Sequence, residues 1–425
     1  MKVVITGAGG FIGKSVTSYL LEQGHSIVAL VRDAKDITFP HPNLIWHVGD
    51  ITDASFVNSL LTGAEYIVHL AARKQDEPTS YVTNVLGTKN ILMAAETAGL
   101  RGIINISTIS TKFTNRGVYG NTKKEADELV AHSKIPSTTL RLSVVYGDMH
   151  SGIFGTLLRY TRLPIVPVIG SGTPTYRPMH VGDVAIAINK ILQSPSIPKR
   201  AYDIGGPDLI SFNDLARLLA STVYGKKVTL LHIPITLAYA IAKVFSLFFK
   251  NPPITASNVT GAIQHAEVEP DAFNTEYDFR PLTLAQGLQK MIEAGHVHAT
   301  EPYVLLRYVL PGSEPGPYQA NLFKQMTTKY GLDQTQSKWL LASNARIGAL
   351  DAVTRLTQPD CQFQKKLLAA ASIMECSPLS NSLLPQERSM PALLFRLSAD
   401  ATLSTCKLLY GLVLICIPGV YKHNA

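Results

Sequence analysis

Short runs of aliphatic and β-branched residues recur along the first 200 positions, and turns separate them from segments whose apolar residues repeat with helical spacing. An apolar run of about four to eight residues bounded by turn residues predicts a buried strand. Such runs predict strands at Lys2–Thr6, Ser26–Val31, Leu44–Val48, Tyr66–Leu70, Gly102–Ser107, Thr138–Leu142 and Ala201–Ile204.

The intervening segments place apolar residues three and four positions apart, which is typical of helices that cover a sheet with one face. Strands alternating with helices predict βαβ units, and therefore an α/β fold with a Rossmann-like, doubly wound parallel sheet. The strands are almost entirely apolar, as strands covered on both faces should be. The predicted helices are Ile12–Gln23, Asp53–Leu61, Asn84–Ala98, Val118–His132 and Val181–Leu192.

Beyond residue 207 the alternation loosens and helical patterns dominate. Ser211 is a plausible N-cap, because Asp214 stands at the third helical position after it. The segment Leu310–Pro317 is rich in proline and glycine, which indicates a break or a linker. Further helices are predicted at Ser211–Tyr224, Pro234–Phe249, Pro281–Glu293, Ser337–Leu356 and Phe363–Cys376.

The chain is therefore expected to hold a large N-terminal unit with a small substrate domain, followed by a mainly α-helical region. The expected boundaries are 1–295 for the unit (Rossmann core about 1–207, substrate-binding parts about 148–180 and 208–295), 296–317 for the linker and 318–425 for the helical region.

Composition adds few functional constraints. Hydrophobic residues make up 46% of the chain and charged residues 16%, which is typical of a folding sequence. The net charge is +8, but no basic run is long enough to predict a nucleic-acid site. The four cysteines form no CxxC pair, so we expect no metal site and a reducing, cytoplasmic location. The first residues predict no signal peptide, and the apolar stretch Leu408–Val420 falls short of the roughly 20 residues that span a bilayer.

The first candidate site is the glycine-rich turn that follows the first strand. Gly7 permits a tight turn, Gly10 lets a diphosphate approach the backbone, and Gly13 lets the next helix pack closely. The helix that opens at Phe11 and Ile12 directs free N–H groups and a positive dipole end toward that diphosphate. This arrangement predicts a dinucleotide-binding site.

The end of the second predicted strand bears on which dinucleotide binds. An NAD site usually carries an acid here, which bonds the ribose 2′-hydroxyl. This chain has Val31 followed by Arg32, and an arginine can pair with the 2′-phosphate of NADP. Asp33 follows and weakens the argument, so NADP is favoured and NAD stays open. Arg32 as an ordinary solvated charge is the alternative.

Tyr119 and Lys123 form the third candidate site. Residues four apart lie on one helical face, so both side chains reach the same region. A nearby ammonium stabilises a phenolate, which would lower the pKa of Tyr119 and make it a general acid/base. The pair follows a predicted strand that ends at Ser107 and Thr108 by about a dozen residues.

Together these motifs resemble the extended branch of the short-chain dehydrogenase/reductase family, the NAD(P)-dependent epimerases, dehydratases and reductases. The resemblance covers roughly residues 1–295, and the C-terminal region matches no recognised family. Its motifs, in order, are Thr6–Gly13, Gly49–Asp53, His69–Ala72, Asn84–Asn90, Ser107-Thr108, Tyr119–Lys123, Arg177–Ala185 and Tyr202–Pro207.

The resemblance implies roles at the cofactor for four of these positions. Asp50 and Ile51 would bracket the adenine, and Ala71 and Ala72 would line the cofactor after the fourth strand. The implied activity is hydride transfer at a secondary alcohol or carbonyl, with epimerisation as one outcome.

It also implies the catalytic set. Tyr119 would be the acid/base, Lys123 would assist it and bond the nicotinamide ribose, and Thr108 would bond the substrate oxygen. Ser107 and Ser110 are alternatives to Thr108.

Two features depart from the branch. Only 11 residues separate Thr108 from Tyr119, where about two dozen are common, so the loop that shapes a sugar-nucleotide site is short. Ile109 and Ser110 stand where sugar dehydratases would have acidic residues, which disfavours dehydration.

The apolar segment Pro234–Phe249 is similar to a helix of hydroxysteroid dehydrogenases and of the SDR-like accessory subunit of respiratory complex I. It indicates a hydrophobic substrate or peripheral contact with a membrane, and a core helix is the alternative. We expect a small-molecule substrate, hydrophobic or a nucleotide sugar, and no nucleic acid. A homodimer and a non-catalytic NAD(P)-binding assembly or regulatory role stay open.

Overall fold

The computed structural model describes residues 1–74, 79–147, 152–161, 163–248, 255–265, 267–293 and 362–375, with single positions between 305 and 351. The chain divides into two compact units, the first over Met1–Leu288 and the second within Gln289–Leu414. The expected boundaries at 295 and 318 stay predictions. Among the described residues, no helix has the length and apolar character needed to cross a bilayer.

Strands in the first unit follow the predicted pattern. In chain order they are β1 (Lys2–Thr6), β2 (Ser26–Val31), β3 (Leu44–Val48), β4 (Tyr66–His69), β5 (Gly102–Thr108), β6 (Ser137–Leu142), β7 (Val145–Tyr146), β8 (Ile165–Ile169), β9 (Thr175–Tyr176), β10 (Met179–His180), β11 (Arg200–Ile204), β12 (Ile210–Ser211) and β13 (Thr229–Ile233).

The helices in the same order are α1 (Phe11–Glu22), α2 (Ala54–Leu61), α3 (Thr79–Tyr81), α4 (Gly87–Ala98), α5 (Gly117–His132), α6 (Gly152–Tyr160), α7 (Val181–Leu192), α8 (Phe212–Tyr224), α9 (Ile235–Phe248), α10 (Ala256–Ala262), α11 (Asp271–Glu276), α12 (Leu284–Glu293) and α13 (Gln362–Glu375). Short 3₁₀ turns cover Ala34–Asp36 and Ile109–Lys112, and a π-helical turn covers Val82–Leu86.

Seven strands form one parallel sheet in the order β11-β6-β5-β4-β1-β2-β3. All seven predicted strands form, with ends within one residue of the prediction, and the α/β doubly wound fold is confirmed. Two short parallel pairs, β7 with β10 and β8 with β13, lie outside this sheet, and β9 pairs antiparallel with β12.

The core has two layers, one on each face of the sheet. Successive residues of a strand point to opposite faces. Val3 therefore packs in the cluster that contains Leu20 of α1 and Ile188 of α7. Val4 packs in the other cluster, with Val57 of α2 and Ile91 of α4. This layering holds the carboxyl edge of the sheet rigid.

Outside the sheet, the predicted helix Ser211–Tyr224 forms with Ser211 as N-cap, and its Oγ accepts a bond of 3.1 Å from the Asp214 amide. The predicted helix Phe363–Cys376 forms as α13, shifted by one residue. The predictions for Leu310–Pro317 and Leu408–Val420 lie outside the described residues, and so does nearly all of Ser337–Leu356.

Candidate functional site at the carboxyl edge of the sheet

Strand order reverses between β1 and β4, because the chain runs outward from β1 to β3 on one side and from β4 to β11 on the other. The crevice at such a reversal is where open α/β sheets bind their ligands. Thr6, the last residue of β1, pairs in register with His69, the last residue of β4. The two loops that leave these strands form the floor of the candidate site.

The glycine loop fits closely into this crevice. Gly7 has φ +71°, and a Cβ there would lie 2.9 Å from the Ala71 amide nitrogen. A Cβ on Gly13 would overlap the Gly7 carbonyl oxygen. At Gly10 the nearest atom to a Cβ would be that same oxygen at 3.3 Å. Glycine is thus sterically required at Gly7 and Gly13, which holds α1 against the turn.

Helix α1 begins beside this loop with Gly10 as N-cap, and no side chain caps it. Its first turn holds no acidic residue, and the amides of a helix's first turn have no intrahelical partner. Phe11 and Ile12, both half-buried, supply two of these amides. The loop and helix therefore fit a dinucleotide diphosphate, which the backbone N–H groups and the helix dipole would hold.

At the end of β2, Val31 is buried and Arg32 is exposed. Asp33 caps the 3₁₀ turn, because its Oδ1 accepts from the Lys35 amide at 3.1 Å, and its Oδ2 lies 3.1 Å from the Lys35 ammonium. Asp33, whose presence weakened the prediction of NADP, is thus bound to its neighbour Lys35.

The loop after β3 carries Asp50, which is exposed, and Ile51, which is buried. Asn90 of α4 fixes this loop, since its Nδ2 donates to the Ile51 and Thr52 carbonyls at 3.0 Å each. After β4, Ala71 is half-buried and Ala72 is exposed. These positions stay predicted cofactor contacts.

The candidate catalytic residues come from β5 and the start of α5, which pack against each other. Thr108 ends β5 and is partly buried, and its hydroxyl lies 3.2 Å from the Ser110 hydroxyl. Tyr119 is half-buried in the first turn of α5. Lys123 is 2% exposed, and its Nζ donates to the Ile106 carbonyl at 2.9 Å. Their combination as a catalytic set stays a prediction.

The electrostatics of Tyr119 differ from the sequence argument. Burial raises the pKa of the phenol, and the Asp127 carboxylate raises it further. We expected the Lys123 ammonium to lower this pKa, but burial depresses the pKa of Lys123 itself and Asp127 faces both groups. Tyr119 is therefore held as a neutral phenol, the form that donates a proton.

A buried polar cluster beneath α5 was not predicted from the sequence. Asp127 is its centre and is 6% exposed. It accepts bonds from Ser107 Oγ at 2.8 Å and Asn105 Nδ2 at 3.0 Å, and Arg141 Nε lies 3.5 Å away. Burial raises the pKa of the Asp127 carboxyl, while Lys123, Ser107, Arg141 and Asn105 lower it. We call Asn105, Ser107, Lys123, Asp127 and Arg141 the buried polar cluster.

A chain of hydrogen bonds links the glycine loop to α4. Thr6 Oγ1 lies 2.8 Å from His69 Nδ1, and His69 Nε2 lies 3.1 Å from Thr88 Oγ1. Thr88 in turn donates to the Asn84 carbonyl at 2.6 Å, so its oxygen accepts from Nε2–H and Nδ1 accepts from Thr6. Burial, with a smaller effect of Lys123, lowers the pKa of His69 to about 3.

Asn84 extends this chain to the catalytic helix. Its Nδ2 donates to the Arg73 carbonyl at 2.9 Å and to Thr122 Oγ1 at 3.0 Å, and its Oδ1 accepts from the Arg73 amide at 2.7 Å. Thr122 donates to the Tyr119 carbonyl at 3.1 Å. The hydrogen bonds that run from His69 through Asn84 to Thr122 thus position the backbone of Tyr119.

The short loop before α5 is fixed on its outer side. Gln264, just after α10, donates to the Asn115 carbonyl at 2.7 Å and accepts from the Asn115 amide at 3.2 Å. The Lys74 ammonium lies 5.6 Å from the centre of the Tyr119 ring. Neither Gln264 nor Lys74 had a signal in the sequence, because both act through contacts distant along the chain.

Comparison with known proteins supports this description. The chain is similar to the N-acetyl-alpha-D-glucosaminyl-diphospho-ditrans,octacis-undecaprenol 4-epimerase of Escherichia coli O157:H7, with 26% identity over 332 residues, 70% of this chain and 96% of that protein. It is also similar to the mitochondrial NADH dehydrogenase [ubiquinone] 1 alpha subcomplex subunit 9 of Arabidopsis thaliana, with 23% identity over 51% of this chain and 56% of that protein.

Among solved structures, the dTDP-glucose 4,6-dehydratase of Bacillus anthracis in complex with NAD has the same fold. Its TM-score is 0.56 at 19% identity, and the match covers 69% of this chain and 96% of that one. The sequence model of the NAD dependent epimerase/dehydratase family matches residues 3–205. This match spans β1 to β11 and includes every candidate site residue. Over residues 3–205, the chain therefore belongs to the NAD dependent epimerase/dehydratase family of enzymes.

Proposed function

We propose that the protein epimerises a secondary alcohol of a diphosphate-linked sugar, by oxidation followed by reduction on the opposite face. The observation that carries this proposal is the placement of Tyr119 and the buried Lys123 on α5, which packs against β5 where Thr108 ends that strand. A rigid acid/base next to a dinucleotide cradle is what such chemistry requires.

In this mechanism a bound nicotinamide supplies the hydride acceptor and donor. Tyr119 Oη, as the phenolate, takes the hydroxyl proton as the carbon is oxidised, and the phenol formed in this way donates that proton as the carbonyl is reduced. The Thr108 hydroxyl bonds the reacting oxygen and fixes its distance from Tyr119. Lys123, four residues along the same helix, is held in place by its bond to the Ile106 carbonyl of β5.

Two observations support the substrate class. The name of the E. coli relative gives its substrate as N-acetylglucosamine on an undecaprenol diphosphate. The name of the dehydratase gives its substrate as glucose on a nucleoside diphosphate. A sugar joined to a diphosphate is their common chemistry. Dehydration is disfavoured, because Ile109 is buried where an acid would be needed and Ser110 follows it.

For the cofactor, we propose NADP over NAD. Arg32 is exposed at the end of β2, while Asp33 is engaged by Lys35 and leaves Arg32 to face a 2′-phosphate. Titration of the purified chain with NADPH and NADH tests this, and Arg32→Ala should weaken NADPH binding selectively. Tighter binding of NADH by the unaltered chain would reject the Arg32 argument.

Tyr119→Phe tests the catalytic proposal. The assay offers an N-acetylglucosaminyl diphosphate carrying a short polyprenol in one arm and a nucleoside in the other, and scores the epimer by nuclear magnetic resonance. Loss of general acid/base catalysis should lower kcat by about 10²–10⁴-fold with cofactor binding unchanged. Tyr81→Phe is the matched control, since Tyr81 bonds Glu125 at the surface. Equal turnover by Tyr119→Phe and the parent chain would contradict the enzyme assignment and favour a non-catalytic binding role.

We propose a cytoplasmic location for this activity, because the diphosphate cradle requires no oxidising compartment and the cysteines form no CxxC pair. The homodimer stays a prediction, which light scattering of the purified chain tests.

A further inference from the structure

Helix α9 presents apolar side chains to solvent along one full side. Leu237, Ala240, Val244 and Leu247 are exposed, and Leu237, Val244 and Leu247 have exposed fractions of 51%, 52% and 75%. At 100° per residue these four positions fall within one stripe of the helix. We call this stripe the apolar face.

The opposite side of α9 packs on the protein. Ala238 and Ala242 are buried, and Tyr239 is anchored by a bond of 2.7 Å between its hydroxyl and that of Thr260 in α10. These contacts fix the rotation of α9 about its axis, so the apolar face is the side that points to solvent. A surface helix normally places polar residues on its outer side, whereas α9 exposes Leu237, Val244 and Leu247 there.

Large apolar side chains continue beside the start of α9. Ile165 of β8 and Leu231 of β13 are 42% and 44% exposed, and these two strands pair in parallel. Ile235, the first residue of α9, is 38% exposed, and it lies close to Gly170 at the end of β8. Isolated exposed apolar residues are common, but a grouping on neighbouring elements marks an interaction surface.

The charge of the chain around α9 indicates which class of partner the apolar face would bind. Residues 215–266 contain no aspartate or glutamate, while Lys226, Lys227, Lys243 and Lys250 are cationic. Lys243 is exposed on α9 and borders the apolar face. A segment with exposed aliphatic residues, Lys243 at their margin and no acidic residues complements an anionic lipid surface.

We propose that the apolar face of α9 binds the surface of an anionic lipid bilayer, with the helix lying in the plane of the membrane. The 14 residues of α9 extend about 21 Å, less than the roughly 30 Å of a bilayer's hydrocarbon core, which fits insertion of one face. This inference goes beyond the proposed enzymatic function, because lipid binding needs neither cofactor nor turnover.

Vesicle flotation of the full chain tests the proposal. We expect binding to vesicles of phosphatidylcholine containing about one-third phosphatidylglycerol, and much weaker binding to phosphatidylcholine alone. Leu237→Glu combined with Leu247→Glu should weaken binding at least tenfold, since each leucine contributes buried apolar area. Lys243→Glu should weaken it by about fivefold or more through loss of attraction to the headgroups.

Met93→Glu is the matched control, because Met93 is 60% exposed on α4, outside the apolar face. It should float like the parent chain, and thermal melting checks that each variant is folded. Three results would overturn the proposal: no flotation of the parent, equal flotation of the double variant, or a dimer without flotation that the double variant converts to a monomer. Each can be read whether or not epimerase activity is found.

Discussion

Helices α5 and α9 depart from the usual arrangement of a surface helix in opposite directions. Helix α5 turns Lys123 and Asp127 into the protein, where they are 2% and 6% exposed. Helix α9 turns Leu237 and Leu247 outward, where they are 51% and 75% exposed. In α5 charge is buried and in α9 apolar surface is exposed, although a sequence that only had to fold would do neither.

The difference shows where each helix acts. Buried charges are unfavourable unless they are paired, and the pairing around Asp127 fixes the surroundings of Tyr119. Exposed leucines cost the folded state little, so they can persist for an external partner. Substitutions in the buried polar cluster should therefore change stability and catalysis together, whereas substitutions in the apolar face should change neither.

The largest effect is expected from Asp127→Ala. Removing this carboxylate leaves Ser107 Oγ without its acceptor, takes one of two acceptors from Asn105 Nδ2, and leaves Lys123 without a nearby opposite charge. Breaking a buried charged group in this way costs about 3–5 kcal/mol in free energy of unfolding. Urea denaturation measures the change.

Glu128→Ala is the matched control on the same helix, because Glu128 is exposed and lies 3.7 Å from Lys124 at the surface. Its loss should be below about 1 kcal/mol. If the two variants lost equal stability, the buried polar cluster would have no special role.

The second effect is a pH dependence from His69. Its pKa is about 3 in the folded protein and near 6.5 when unfolded, so the unfolded state binds the extra proton between these values. The free energy of unfolding therefore falls as pH drops below about 6.5, by about 2 kcal/mol at pH 5.

His69→Gln should remove this contribution, so that its free energy of unfolding changes less between pH 7 and pH 5 than that of the parent. Denaturant curves at both pH values measure the difference. His47→Gln, at an exposed position of β3, should leave the parent's pH dependence intact. An unchanged slope in His69→Gln would mean that His69 takes up its proton in the folded protein.

The fold was predictable because its signals are local. Each strand is one apolar run, and Gly7 and Gly13 announce their turn by their own spacing. The pair Tyr119 and Lys123 was also visible, because residues four apart share a helical face. The buried polar cluster was not, since Ser107 and Asp127 are 20 residues apart in the chain, and Asn105 and Asp127 are 22 apart. The predicted direction of the pKa shift at Tyr119 was wrong for the same reason, because burial and the Asp127 carboxylate, which depend on tertiary structure, raise this pKa.

The third effect separates catalysis from folding within α5. Asp127 raises the pKa of Tyr119, so Asp127→Asn should lower that pKa. Alcohol oxidation needs the phenolate, whose fraction grows as pH rises toward this pKa, so Asp127→Asn should shift the rising limb of the oxidation rate to lower pH. Carbonyl reduction needs the neutral phenol, which predominates below this raised pKa, so its rate should stay level across the same pH range.

Nicotinamide absorbance, followed in both directions across pH, measures the two rates. A purely structural role for Asp127 would lower both rates and leave the rising limb of oxidation where it is in the parent. Glu128→Gln is the matched control, because Glu128 is exposed on the same helix beside Lys124. It should leave the rising limb of oxidation where it is in the parent.

The smallest effect is expected on α9. Leu237→Gln keeps helix propensity and changes only an exposed side chain, so the free energy of unfolding should stay within about 0.5 kcal/mol of the parent. Ala242→Asp, on the buried side of the same helix, should cost several times more, because it places an unpaired carboxylate where Ala242 is 3% exposed. Urea denaturation of both variants measures the contrast. A large loss in Leu237→Gln would mean that the apolar face stabilises the fold itself, and α9 would then resemble α5 in serving the interior rather than an external surface.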